Sequence, residues 1–400
     1  MMKKNSLKIL HVANTAGLSS GGIGDVAHEL FRRQRRFGAD VHLWFPGDQA
    51  LLQEVQQITG GRGSNLRVFA LRSPRDLWRA ARDARQFDVI HQHGIWLPNS
   101  LVTLLSGPRL KRIISPHGLL EPERLKYSAR KKKIVGMLFE NRNLHAADLL
   151  AACSAQEAAG LRAYGLENEV AVVPNGVSHD LLDDVADPGL RRTRFRQKHG
   201  LAPEGRCFLF LSRLDRIKGV DVLLLAIHMC AAKLRQDGWN LIVAGSGDDS
   251  YRAELETIAR EFGIEDLVRF IGPVYSEDKL DAYRSADVFT LVSRNENFGI
   301  VVAEALAMSV PVLVSDQMPW SHVTKEGCGF EATVDPASIC DCLLRFVAMN
   351  DAQRNDMGRR GRALAERQFR WDRIAQEYLK IYRRIADRQS ISDGSSEESR

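Results

Sequence analysis

The stretch Asn295-Glu296-Asn297-Phe298-Gly299-Ile300-Val301-Val302-Ala303-Glu304-Ala305-Leu306-Ala307 decides how this chain is read. Just upstream, Val288–Val292 reads as a short apolar strand, and from Phe298 to Met308 every residue except Glu304 is apolar or glycine. Such a run predicts a helix, Phe298–Met308, buried on most sides. Strand, short polar loop and helix in that order make one unit of a parallel α/β sheet. The two carboxylates are the anomaly. Glu304 inside an apolar helix is costly unless something pairs with it. Either an Arg or Lys elsewhere in the chain meets it, or it faces a ligand. Glu296 falls at or just before the helix N-terminus, and a rise of about 1.5 Å per residue sets the two about 12 Å apart. That exceeds the ~5–9.5 Å of a hydrolytic carboxylate pair, so the two read as separate contacts on one elongated ligand.

The same unit repeats outward in both directions. Strands are expected at Lys8–Val12, Asp40–Phe45, Leu66–Leu71, Val89–His93, Arg112–Ser115, Leu149–Ala152 and Glu169–Val173, then at Cys207–Leu211, Asn240–Ala244, Val268–Ile271, Val288–Val292 and Val310–Ser315. Helical patterns lie between them, among them Ile23–Phe37, Ser154–Tyr164, Tyr251–Phe262 and Pro336–Met349. This is an α/β chain with two doubly wound, Rossmann-like domains facing a central cleft. The break falls at the turn Pro174-Asn175-Gly176. We therefore divide the chain into 1–176, 177–370, a closing helix 371–388 and a Ser/Glu-rich tail, 389–400, expected to be disordered.

Composition narrows the function classes. With 44% apolar residues in 400, two full cores can be built. The longest apolar run, Val220 to Ala232, is interrupted by Asp221 and His228 and is too short to span a bilayer. The start, Met1-Met2-Lys3-Lys4, runs straight into a strand pattern without a signal-peptide core, and the six cysteines form no CxxC pair. A reducing, cytoplasmic setting is the expectation. The net charge of +6 is modest and no nucleic-acid module is visible, which argues against nucleic acid as a partner. The local basic clusters, Lys126–Lys133, Arg32–Arg36 and Arg354–Arg373, fit an anionic substrate, an acidic membrane surface or simply solvated helix faces.

Polar anomalies at strand ends mark the remaining candidates. Ser212-Arg213-Leu214-Asp215-Arg216-Ile217-Lys218-Gly219 joins a strand to a helix and carries the cations a phosphate needs beside a helix N-terminus. Gly245-Ser246-Gly247 ends the next strand and allows close approach of a backbone, whether to a ligand or within a tight turn. Gly21-Gly22-Ile23-Gly24 opens a helix without dinucleotide-fingerprint spacing and suits a phosphate-covering loop. His91-Gln92-His93 and Pro116-His117-Gly118 end strands of the first domain and set imidazoles at the mouth of its sheet. These read as substrate contacts or as hydrogen-bonded structural groups, with no third ligand in sight for a metal.

Together these motifs resemble the retaining glycosyltransferases of family 4, which have the GT-B fold. The resemblance covers the chain to about Ala386 and rests on the order Gly-Gly loop, Pro-His-Gly, Pro-Asn-Gly, Arg213-x4-Lys218-Gly219, Gly245-x-Gly247 and Glu296-x7-Glu304. It implies that Arg213 and Lys218 clamp the diphosphate of a nucleotide-sugar donor and that Glu304 accepts bonds from the ribose. It places Glu296 and the backbone of Asn297, Phe298 and Gly299 by the donor sugar, Gly21 and Gly22 near phosphate or acceptor, and His117 near the reaction centre. The helix from Trp371 would cross back to the first domain. The resemblance further implies a retaining hexosyltransferase without cofactor, and the lack of any Asp-x-Asp pair makes metal independence the expectation. The stretch from Ser115 to Arg124, followed by Lys131-Lys132-Lys133, looks like the branch that builds bacterial surface polysaccharides such as lipopolysaccharide. That implies a glycan or lipid-linked acceptor at the inner membrane face, with the basic segment Arg124–Arg142 either touching the membrane or docked as part of the first domain. Two other readings share the architecture. A non-hydrolysing sugar-nucleotide epimerase would need further acid/base carboxylates, and a non-catalytic sugar-binding protein would normally carry an export signal.

Overall fold

The structure, a computed structural model, describes residues 7–13, 22–47, 52–53, 56, 65–69, 73–183 and 187–397. The chain divides into two compact units, Met1–Gly176 with Trp371–Arg400, and Val177–Arg370. In the first, β1 (Lys8–Ala13), β2 (Asp40–Pro46), β3 (Leu66–Phe69), β4 (Val89–His93), β5 (Lys111–Ser115), β6 (Leu149–Ala152) and β7 (Val170–Val172) form one sheet in the order β3-β2-β1-β4-β5-β6-β7. Every pairing is parallel. In the second, β8 (Arg206–Leu211), β9 (Trp239–Ala244), β10 (Val268–Gly272), β11 (Val288–Leu291), β12 (Val312–Ser315) and β13 (Gly329–Ala332) run β10-β9-β8-β11-β12-β13, again all parallel. Both sheets reverse strand order once, between β1 and β4 and between β8 and β11. Ligands of doubly wound sheets bind outside the carboxyl ends of the strands at that reversal.

The strands form where apolar runs are continuous, as expected of sheets covered on both faces. β13 was not anticipated: it is a four-residue edge strand containing Gly329 and Glu331, too short and mixed to show a period.

Helix Trp371–Glu397 packs onto the first unit through Ile374, Ala375, Tyr378, Leu379, Tyr382 and Ile385, one apolar stripe joining the core of Ile9, Leu30, Phe31 and Val89. Burying each of Ile374, Leu379 and Ile385 contributes roughly 1.5–3 kcal/mol. Its start fits only because residue 176 is glycine: a Cβ there would lie 2.3 Å from the Trp371 ring. The tail expectation is corrected, since the helix continues to Glu397. A helix nucleated by packed turns extends at one backbone bond per residue, so polar composition does not stop it. No helix among the described residues is long and apolar enough to cross a membrane. All six cysteines are free and buried.

Candidate active site

In the second unit the two loops flanking the strand reversal carry the predicted cation and carboxylate. After β8 the chain makes a single tight turn, Arg216–Lys218, capped at its start by the Asp215 side chain, and Gly219 then turns into helix Val220–Met229 with φ 70°. A Cβ at Gly219 would lie 2.3 Å from the Val292 carbonyl oxygen, so glycine lets this loop meet the one after β11. The two loops are tied by the Arg294 N–H donating to the Ile217 carbonyl at 2.7 Å and by Arg294 on Asp221 at 2.6 Å. Across this seam the Lys218 ammonium donates to the Glu296 carboxylate, with side chains only 9% and 15% exposed. Arg213, by contrast, is exposed and makes no ion pair among the described residues. It lines a 570 Å³ cavity with Leu214, Asp215, Ser246, Gly247 and Tyr251.

Gly245 and Gly247 serve this architecture first. A Cβ would lie 1.8 Å from the Ser212 oxygen at Gly245 and 2.4 Å from the Leu214 oxygen at Gly247. The loops after β8 and β9 therefore press backbone to backbone, which only glycine permits.

The helix after β11 runs Ile300–Ala307, two residues shorter at its start than expected. Gly299 takes φ 73°, a left-handed conformation that ends the loop, and a Cβ there would crowd Glu296 at 3.1 Å. Asn297 and Phe298 thus belong to the loop, with the Phe298 carbonyl held by the Trp320 indole N–H. The 12 Å separation, which assumed unbroken helix from Glu296, does not hold across these residues. Glu304 is buried and meets a cation after all: Lys279 Nζ lies 2.7 Å away, and the Tyr283 hydroxyl donates to it at 2.8 Å. Lys279 and Tyr283 sit four apart on helix Ser276–Ser285 and so share a face. Burial and the adjacent carboxylate push the Tyr283 phenol well up. Sequence reading missed both partners; their four-residue spacing sets them on one helix face but does not say what that face meets.

In the first unit Gly22 caps helix Ile23–Arg36 at φ 78° and is exposed, while Gly21 lies outside the described residues. His91 and His93 are not at the mouth of the sheet. Both are fully buried, because the parallel register that sets His11 opposite His91 turns these side chains under helices Ile23–Arg36 and Trp371–Glu397. His91 Nδ1 meets the Tyr382 hydroxyl at 2.6 Å and its Nε2 the Ser115 hydroxyl at 2.8 Å. His11, which sequence reading passed over, brings a third imidazole, and the three residues' nitrogens lie within 4.8 Å of one another. Such spacing is open to a metal ion, but all six ring nitrogens already have hydrogen-bond partners. The 2.9 Å between His11 and His93 nitrogens is also below the roughly 3.3 Å between ligands of a tetrahedral zinc. The cluster is a hydrogen-bond network.

His117 is part-exposed, with φ 55°, a strained value for a non-glycine residue and one that collects at functional sites. The loop is held by Glu157, which accepts from the Gly118 N–H at 2.6 Å and the Cys153 N–H at 2.7 Å. Glu140 similarly accepts from the Trp96 N–H at 2.9 Å beside the loop after β4, and burial raises its pKa. Burial lowers the pKa of His117.

Residues 191–364 match the model of glycosyl transferases group 1, and residues 21–176 match the glycosyl transferase 4-like domain. A D-inositol 3-phosphate glycosyltransferase of Xylanimonas cellulosilytica is 30% identical over 330 residues, 77% of this chain and 75% of that protein. A second, from Catenulispora acidiphila, is 30% identical over 332 residues, 76% of each chain. Among solved structures, Anabaena HepE in complex with UDP and glucose superposes with a TM-score of 0.75 at 18% identity, over 94% of this chain and 99% of that one. With two parallel-sheet units ending in these loops, the chain belongs to the family 4 glycosyltransferases and has the GT-B fold.

Proposed function

We propose that this enzyme transfers a hexose, with retention, from a UDP- or GDP-sugar to a glycan or lipid-linked acceptor in surface-polysaccharide synthesis. The observation that carries it is the pair of cations at the strand reversal: Lys218, buried against Glu296, and Arg213, unpaired at the cavity edge. In the proposed complex a diphosphate takes the place Glu296 now fills on Lys218. As the sugar–phosphate bond breaks, negative charge grows on the leaving oxygen, and fixed cations stabilise it without reorganisation. The acceptor hydroxyl forms its bond to the anomeric carbon on the same face, and its proton passes to the departing phosphate oxygen. Glu296 then needs no nucleophilic role and, freed from Lys218, meets the sugar with the backbone of Asn297 to Gly299. Gly22 borders the phosphate or acceptor, with Gly21 beside it in sequence. Glu304, steadied by Lys279 and Tyr283, accepts bonds from the ribose. No metal is required in this scheme.

Incubation with a panel of UDP-, GDP- and ADP-sugars, with and without EDTA, tests the reading. Slow hydrolysis and thermal stabilisation are expected with one donor, unaffected by chelation. Glu304→Gln should weaken free-nucleotide binding about tenfold, the loss of roughly one charge-assisted hydrogen bond. No response to any donor would sink the transferase chemistry, and unchanged nucleotide affinity the ribose role.

A second acceptor reading is favoured by the relatives named for D-inositol 3-phosphate: a phosphorylated polyol. Offering both acceptor types with the active donor separates the two.

The surface proposed for peripheral membrane contact is a basic segment with exposed apolar tips. The segments Pro122–Lys126, Ala129–Val135 and Gly136–Glu140, with the residues joining them, expose Tyr127, Ile134, Met137 and Leu138, the last at 74%, beside exposed Lys126, Arg130, Lys131 and Lys133. Apolar tips among cations match an anionic bilayer, at about 1 kcal/mol per basic residue. Co-flotation with vesicles containing phosphatidylglycerol is expected, reversed by 0.5 M salt (about a 4 Å screening length) and lost in Met137→Asp/Leu138→Asp. Equal flotation of that variant would refute the surface.

A further inference from the structure

A line of side chains from four separate elements ends at His117. Gln34 on helix Ile23–Arg36 presents Oε1 to His11 Nε2 at 2.9 Å, His11 Nδ1 meets His93 Nε2 at 2.9 Å, and His93 Nδ1 meets His117 Nε2 at 3.3 Å. The rings of His93 and His117 stack at 17°. Gln34, His11 and His93 are fully buried.

With the Gln34 carbonyl oxygen set toward His11, as the structure orients this amide, hydrogen counting along the line leaves one arrangement. An amide oxygen carries no hydrogen, so His11 Nε2 must donate. A neutral His11 then has a bare Nδ1, and His93 Nε2 must supply the hydrogen between them. A neutral His93 has a bare Nδ1 in turn, so His117 Nε2 donates to it. Protonating either buried ring would set two hydrogens in one contact, away from water. Dehydration holds all three imidazoles below the usual range, against a smaller upward pull on His117 from Glu157.

We propose that Gln34, His11 and His93 are positioning residues that lock His117 as the neutral Nε2–H tautomer, leaving its Nδ1 lone pair as a hydrogen-bond acceptor for substrate. That nitrogen makes no hydrogen bond among the described residues, and His117 is part-exposed. The chemistry it selects is a hydroxyl, which can donate to a lone pair. A phosphate or carboxylate at the same point would face acceptor against acceptor. The assignment of that hydroxyl to donor or acceptor sugar rests on the transferase reading; the tautomer does not.

Histidine-selective nitrogen-15 labelling of the full chain tests it at neutral pH without substrate, with His117→Gln assigning the signals. His117 is expected with hydrogen on Nε2 and a bare Nδ1. A hydrogen on His117 Nδ1 in the wild-type spectrum, the outcome of a reversed Gln34 amide, would overturn the proposal even if no His93 variant folds. His93→Leu should give a tautomer mixture at His117 and a kcat about tenfold lower, the cost of one hydrogen bond, with donor KM little changed. His93→Gln should restore the single tautomer, because its amide can donate to His11 and accept from His117. An unchanged His117 signal in His93→Leu would show that the line positions nothing. The expected tautomer in a protein that turns over no nucleotide sugar would keep the relay and discard the transferase reading.

Discussion

Lys218→Ala is expected to lower kcat by about 10²–10³ at saturating donor, with a smaller change in KM. The magnitude is that of removing one preorganised donor to charge that develops in the transition state. Lys218 ends a tight turn stapled to the loop after β11, so its ammonium is held in place before substrate arrives. An interaction that strengthens as the leaving group becomes charged appears in kcat. The substitution also strands Glu296, whose side chain is only 15% exposed, and an unpaired carboxylate there destabilises the fold by up to ~3–5 kcal/mol. Lys218→Ala/Glu296→Gln removes that liability. Steady-state kinetics on both, with urea midpoints alongside, separates chemistry from folding. A kcat within threefold of wild type in the stably folded variant would remove Lys218 from catalysis.

The second large effect is acid lability of the first unit. His11 is fully buried, and burial lowers its pKa to about 4, partly opposed by the Gln34 hydrogen bond. His91 and His93 lie well below the usual range, by burial and by the neighbouring imidazoles, and His117 is lowered too, though Glu157 pulls it back. In the unfolded chain each takes a proton near pH 6.5. Between those limits the unfolded state binds more protons, so stability falls as pH falls. His11 alone accounts for about 3 kcal/mol between pH 6.5 and about 4. Buried His28 and half-buried His42 in the same unit act in the same direction, as do half-buried His199 and His322 in the second unit. Urea midpoints should therefore drop steeply from pH 7 to 5, above the range where most carboxylates titrate. His11→Gln, which keeps an amide in place of the titrating ring, should flatten the curve. A midpoint independent of pH over that window would contradict the neutral, buried network.

Much of the second unit was legible locally. Apolar runs of strand length, each followed by a Gly-rich or basic loop and a helical period, locate Lys218, Glu296 and the glycines at strand ends, because a doubly wound sheet sends every such loop to one edge. Glu304 stood out for the same local reason: a charge in an apolar run demands a partner. The identity of that partner was not legible. Lys279 and Tyr283 sit 25 and 21 positions away on a helix whose rotation no period specifies, and they meet Glu304 only once that helix packs against Ile300–Ala307. Nor was the true helix start, which depends on the left-handed turn at Gly299.

The histidine line shows the division most clearly. By itself the sequence determined two parallel α/β units, the loops that bear the charged groups, and the family, since these follow from hydrophobic period and from motifs in order along the chain. Only the tertiary structure decided that His11, Gln34, His91, His93, His117 and Tyr382 form one network. Their contacts span up to 291 positions and arise from the register of β1 on β4 and from a closing helix docked onto a sheet built by the opening residues. Local periodicity reports which side of a strand is apolar. The pairing of strands and the seating of helices determine which buried polar groups come within hydrogen-bond reach of one another.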